Sequence, residues 1–273
     1  MGFFDKLERA AQRNGSLLCV GLDPDPAQMP VSDVAAFNRA IIEATAGLVC
    51  AYKPNLAFYE ALGERGLAAL RDTLAAIPSD IPVIADGKRS DIGNTAKAYA
   101  RALFDELGVD AATVNPYLGG DAVEPFLERE EKAAFILCRT SNPGARDFQD
   151  LLVSTGDERP AKPLYRVVAE RVMSWDSHGN VGLVVGATQT ERLAEVRSAA
   201  PDLPFLIPGV GAQGGDLEAG VRAAANDRPD RGFIINVSRS VLYASSNNDY
   251  VAAARREAET LRARVEKVLS TLP

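Results

Sequence analysis

Short runs of apolar residues recur along the chain, and each is followed by a stretch of helical periodicity. The runs occupy residues 16–23, 47–55, 81–88, 110–116, 133–141, 181–188, 203–211 and 231–238. They are apolar throughout rather than alternating, the pattern of strands covered on both faces. Between them, segments 34–47, 67–77, 94–108, 164–175, 190–200 and 250–272 repeat apolar residues three and four positions apart, the spacing of one helix face. Residues 1–15 predict a further short amphipathic helix, stopped at Asn14-Gly15 because such residues tolerate the left-handed turn that closes a helix. Strand starts are spaced by roughly 22 to 35 residues, the length of a βα unit. The one wider interval follows the fifth run, where residues 143–163 predict a long loop of the kind that often serves as a lid or binding loop.

Eight consecutive βα units predict a (β/α)8 barrel, with an N-terminal helix and a long loop after strand 5. Residues 1–273 are expected to form this single domain, since no composition shift marks a boundary. A doubly wound open sheet is the competing arrangement. It would favour Gly-x-Gly-x-x-Gly after the first strand, where the chain has Gly-Leu-Asp-Pro-Asp-Pro.

Composition narrows the function classes. Hydrophobic residues make up 47% of the chain, enough for a large core. The net charge is -7 and there is no Lys/Arg block, which argues against nucleic acid or an anionic membrane as partner. A small anion remains open, because a few local cations can hold it against the global field. No apolar run approaches the ~18 residues of a membrane span. The N-terminus is too polar and too acidic for a secretory signal. A cytoplasmic protein is therefore expected. Cys19, Cys50 and Cys138 lie far apart in apolar runs and read as reduced core thiols. The sole histidine, His178, sits in a polar turn, which argues against a histidine triad or a histidine-rich metal site.

Barrels place their chemistry where strands end and βα loops begin. Asp23, Lys53, Asp86, Lys88, Asn115, Ser141, Gln213 and Arg239 all fall at such ends. The densest group is residues 84–95. Asp86 and Lys88 are two apart on an extended segment, so their side chains leave the same face. Asp91 follows at the start of the next helix. These residues form either a reactive array or an ion pair with Asp91 as a helix cap. Their position at the end of an apolar strand favours the array, and Lys53 adds a second cation. The segment 208–216, Pro-Gly-Val-Gly-Ala-Gln-Gly-Gly-Asp, offers backbone N–H groups and the start of a following helix to an anion. Arg239 can add bidentate hydrogen bonds. An ordinary glycine-rich turn would look similar, but barrels often bind phosphate after strands 7 and 8.

The segment Asp-Gly-Lys-Arg-Ser-Asp-Ile, residues 86–92, resembles the Asp-x-Lys-x-x-Asp signature of the orotidine 5'-phosphate decarboxylase superfamily. Residues 21–26, 52–60, 140–145, 208–216 and 236–245, in order along the barrel, are similar to the bacterial branch that includes mycobacterial enzymes. The resemblance implies cofactor-free and metal-free conversion of orotidine 5'-monophosphate to UMP, with Lys88 as proton donor. It implies that Lys53, Asp86, Lys88 and Asp91 form an alternating charged array. It further implies a homodimer in which Asp91, Ile92 and Thr95 reach the neighbouring subunit's site. Asp23 and Lys53 resemble ribose contacts, Ser141 a pyrimidine contact, and Gln213 and Arg239 phosphate contacts. Ser238 departs from the pattern, since many relatives carry Gly before the arginine. Two other readings compete: a Mg2+-dependent sugar-phosphate enzyme of the same superfamily, and a non-catalytic nucleotide-binding barrel.

Overall fold

The computed structural model describes residues 1–154, 156, 160–210, 215–226 and 232–272. Eight strands form one sheet: β1 (Leu18–Leu22), β2 (Ala51–Pro54), β3 (Ile84–Arg89), β4 (Ala111–Val114), β5 (Ala133–Arg139), β6 (Val181–Val185), β7 (Phe205–Ile207) and β8 (Phe233–Val237). All pair in parallel, in the order β2-β1-β8-β7-β6-β5-β4-β3. Isolated parallel bridges Tyr52↔Val83 and Asn55↔Asp86 join β2 to β3 and close the barrel. Each strand lies within an expected run, except that β3 extends one residue further, to Arg89.

Burial on both faces explains the continuous apolar runs. Every residue of β1, β2, β4, β6, β7 and β8 is buried, whereas β3 emerges towards solvent at its C-terminal end. Packing between strands is tight: a Cβ on Gly182 of β6 would lie 2.6 Å from the Phe135 ring of β5. Helices Val34–Thr45, Gly63–Ala76, Gly93–Arg101, Leu164–Trp175, Thr190–Ala199, Leu217–Ala224 and Tyr250–Leu269 surround the barrel. The N-terminal helix, Phe3–Asn14, ends at Gly15 with φ 54°. It sets Phe3 and Phe4 edge-on to Phe135, at 5.8 and 5.9 Å between ring centroids.

One expectation needs correction. Between β4 and β5 no full helix forms; the chain makes only the short turns Pro116–Leu118, Gly120–Val123 and Glu124–Phe126. Pro116 opens the first turn, Pro125 is the second residue of the last, and Gly119 takes φ 96°, which breaks any longer helix. The long connection expected after β5 is present, and its described residues include short regular elements. It forms a turn at Pro143–Asp147 and a two-stranded antiparallel ribbon, Leu152–Val153 against Lys162–Pro163. Arg139 anchors its start, pairing with Asp150 at 2.8 Å.

At the N-terminal end of the barrel, Arg197 is buried and donates to the carbonyls of Ala200, Leu203, Ala224 and Gly232. Its guanidinium lies 3.6 Å over the Phe205 ring. The three cysteines are free and buried, and His178 lies near the surface beside Glu130, as expected. Among the described residues no helix is long and apolar enough to cross a membrane.

Candidate active site

The C-terminal strand ends surround a cavity of about 640 Å³. Asp23, Lys53, Asp86, Lys88, Ser141 and Arg239 all line it, so six of the proposed site residues converge. Asp91, Ile92 and Thr95 do not line it; Ile92 is 61% exposed on the adjoining surface. Gln213 lies outside the described residues.

Asp86 is the hub. Its Oδ2 accepts from Lys53 Nζ at 2.8 Å, and its Oδ1 accepts from Lys88 Nζ at 2.6 Å and from Thr113 Oγ1 at 2.9 Å. Asp86 and Lys53 side chains are 10% and 4% exposed, but Lys88 is 46% exposed. Burial pushes the Asp86 carboxyl up, yet the two ammonium groups outweigh it and hold the group well below the usual carboxylate range. Burial likewise opposes the charge on Lys53, but Asp86 and Asp23 keep its ammonium above the ordinary lysine range. The array is thus two fixed buried charges and one cation that opens into the cavity. A lysine ammonium has three donors, so Lys88 can hold Asp86 and still offer hydrogens to a ligand.

The local backbone differs from a simple extended strand. Asp86 and Lys88 do meet, but the register of β3 on β4 jumps from Ala85↔Ala112 to Arg89↔Val114. β3 therefore carries surplus residues that must bulge. Lys88 takes φ 47°, the one positive φ of a non-glycine residue among those described. Asp91 is not the helix cap the spacing allowed. Its Oδ1 accepts from Ile92 N at 2.8 Å, and the helix Gly93–Arg101 starts one residue later with no side-chain cap. Asp91 makes no ion pair with a described residue of its own chain.

The other walls are built from loop anchors. Asp23 Oδ1 accepts from Asn55 N at 3.2 Å. Tyr243 Oη donates to the Asp23 carbonyl and accepts from Asp25 N, tying the loop after β1 to the turn that follows Arg239. Thr188 Oγ1 donates to the Ser141 carbonyl at 3.1 Å. Arg239 opens the short helix Arg239–Leu242, and Ser238 stands at its N-cap. The Ser238 hydroxyl does not cap that helix. Its Oγ instead occupies the space beside Gly21, where a Cβ would come within 1.9 Å. The departure at Ser238 is thus accommodated by a glycine on the neighbouring strand.

Sequence reasoning missed Thr113, Asn55 and Tyr243. A hydroxyl residue within the apolar segment Ala111–Val114 was the available signal for Thr113. Asn55 and Tyr243 act through contacts distant in sequence that no local pattern announces. Among the described residues, no three His, Cys, Asp or Glu side chains group to hold a metal ion.

Comparison with known proteins identifies the family. The model of the Orotidine 5'-phosphate decarboxylase / HUMPS family matches residues 16–256. An orotidine 5'-phosphate decarboxylase of Herpetosiphon aurantiacus is 54% identical, covering 94% of this chain and 95% of its own. The structure of Leishmania donovani OMP decarboxylase superposes with a TM-score of 0.84 at 43% identity, covering 97% of this chain and 99% of that one. Leishmania donovani UMP synthase gives a TM-score of 0.85 at 45% identity, covering 97% of this chain but 57% of that longer one. A charged hub at the mouth of a parallel barrel, a family match across most of its length and close relatives of matching extent place the chain in the orotidine 5'-phosphate decarboxylase family.

Proposed function

We propose that Lys88 is the proton donor in the conversion of orotidine 5'-monophosphate to UMP and CO2. The activity is that of the family, a carboxy-lyase step in pyrimidine biosynthesis. The observation that carries the residue assignment is the Lys88 ammonium, held 2.6 Å from Asp86 at the edge of the cavity and half open to it. In the reaction the C6–carboxylate bond breaks, CO2 leaves and the electron pair stays on C6. A cation at that carbon stabilises the developing carbanion. Lys88 then transfers one ammonium proton to C6, leaving a neutral amine that solvent reprotonates.

Asp86 is a second contributor. A carboxylate ~4 Å from the substrate carboxylate, at an effective dielectric of ~20, repels it by ~4 kcal/mol. Enzymes commonly lower barriers by ~8–23 kcal/mol, so stabilisation by Lys88 has to carry the larger share. Asp23 and Lys53 are assigned to the ribose, Ser141 to the pyrimidine, and Gln213 with Arg239 to the phosphate. This reading needs no metal or cofactor.

A homodimer completes the array. Asp91, Ile92 and Thr95 are assigned to the neighbouring subunit's site. Supporting this, Ile92, Tyr117 and Leu118, in the segments that follow the adjacent strands β3 and β4, are large apolar side chains exposed by 61%, 82% and 46%. Exposed apolar side chains after two neighbouring strands suit a subunit contact. A hydrophobic core shared by all eight strands supports reading residues 1–273 as one domain. We assign the protein to the cytoplasm.

Lys88→Ala is expected to abolish loss of orotidine monophosphate absorbance while UMP still binds. Wild-type turnover should be unchanged by EDTA. Near-normal turnover by the purified variant would reject Lys88 as donor, and loss of wild-type turnover in EDTA would reject the metal-free reading.

A further inference from the structure

We infer that Thr113 is a positioning residue for the proton donor: one buried hydroxyl fixes both the backbone of Lys88 and the carboxylate that aims its ammonium. The inference rests on Lys88 being that donor.

Thr113 is 1% exposed and lies on β4, opposite the bulge in β3. Its Oγ1 is 2.9 Å from Lys88 N and 2.9 Å from Asp86 Oδ1. The direction of this chain of hydrogen bonds is forced. A backbone N–H can only donate, so the hydroxyl oxygen accepts from Lys88. A carboxylate, held ionised here by two lysines, can only accept, so the hydroxyl hydrogen goes to Asp86. A hydroxyl does both at once; no apolar side chain can do either.

The consequence for Lys88 follows from the bulge. Between Ala85 and Arg89 the ladder with β4 is interrupted, so the Lys88 N–H lacks a regular strand partner. Thr113 Oγ1 replaces that partner. Lys88 also sits in the left-handed region, which residues with side chains occupy only where their surroundings hold them. The same oxygen that holds the Lys88 backbone orients Asp86 Oδ1, the atom that receives the Lys88 ammonium. The two ends of the lysine are therefore referenced to a single point on β4. Misplacing a reacting group by about 1 Å can cost about 100-fold in rate, so this anchor matters to turnover more than to ligand affinity.

The test is Thr113→Val, which keeps the shape and removes the hydroxyl, beside Thr113→Ser, which keeps the hydroxyl. Thr113→Val is expected to lower kcat by at least about tenfold, the loss associated with a hydrogen bond to a charged group. KM and the Kd of UMP should stay within about threefold. Thr113→Ser should retain most of the wild-type kcat. Wild-type kcat in Thr113→Val would overturn the inference, as would an equal loss in Thr113→Ser, which would make the effect one of packing. A parallel loss of UMP affinity would also overturn it. If Thr113→Val does not fold, Thr113→Cys substitutes a poor donor of similar size and should show the same split between kcat and KM; a wild-type kcat there overturns the inference. Lys88→Ala assayed alongside separates the two ideas. An active Lys88→Ala sinks the donor assignment, whereas an inactive one with an unaffected Thr113→Val sinks only the anchor.

Discussion

Asp86 concentrates the electrostatics of this site in one carboxylate. Two ammonium groups lie on its two oxygens, and it is largely withdrawn from water. Removing one partner of a buried charge cluster commonly costs about 3–5 kcal/mol, because the remaining charges are left uncompensated. Asp86→Asn should therefore lower stability by an amount of that order at pH 7. The pH dependence follows from the depressed carboxyl. Above the unfolded carboxylate value of about 4, the stabilisation is fully present. As pH falls below it, the unfolded chain takes up a proton that the folded chain refuses, and the advantage is lost progressively towards the folded value. Urea unfolding of wild type and variant at pH 7, 5 and 3 should show an equal gap at the first two and a smaller gap at the third. A gap that widens at pH 3 would contradict the sign. Lys53 limits the window at the other end, since its contribution is lost only as pH rises beyond the ordinary lysine range.

At the scale of elements, adjacent strand ends are matched to one another. Gly21 of β1 and Ser238 after β8 share one small volume, and a Cβ on Gly21 would also stand 3.2 Å from Asp23 Oδ2. Gly21→Ala is expected to cost about 1–3 kcal/mol of stability through overpacking. Ser238→Gly in the same chain should recover most of that cost, because the residues are in contact and their effects do not add. Unfolding of the four proteins of this cycle measures the coupling; additive costs would show that the two side chains do not compete for the space. The β3–β4 pair shows another such match, with a bulge on one strand answered by a hydroxyl on the other. The barrel strands themselves were legible in the sequence, because burial on both faces leaves an uninterrupted apolar run. The missing helix between β4 and β5 was not, because periodicity in the other units suggested a repeat that prolines and glycines in this one prevent.

For the whole molecule, the protomer holds Lys53, Asp86 and Lys88 together but leaves Asp91 outside the cavity. The proposed dimer predicts complementation. Lys88→Ala and Asp91→Ala proteins should each be inactive alone. Mixed and allowed to exchange subunits, they form hybrids with one intact site, restoring on the order of a quarter of wild-type activity if pairing is random. No recovery, in a mixture shown by mass to contain hybrids, would reject a shared site. Gel filtration at low micromolar concentration gives the companion result, a dimer rather than a monomer.

The order of strands and helices was determined by the sequence itself, because solvent exclusion writes a local and repeated pattern. So was the list of polar strand ends, since a charge that closes an apolar run stands out wherever the strand is placed. Which of those ends touch was decided only in three dimensions. Lys53 reaches Asp86 across 33 positions of sequence, and Tyr243 reaches Asp23 across 220. Barrel closure brings such pairs together, and no spacing rule contains it. The left-handed turn at Lys88 belongs to the same class. Its sequence reads as an ordinary strand, and only the register of β4, with Thr113 opposite the surplus residues, holds it as a bulge.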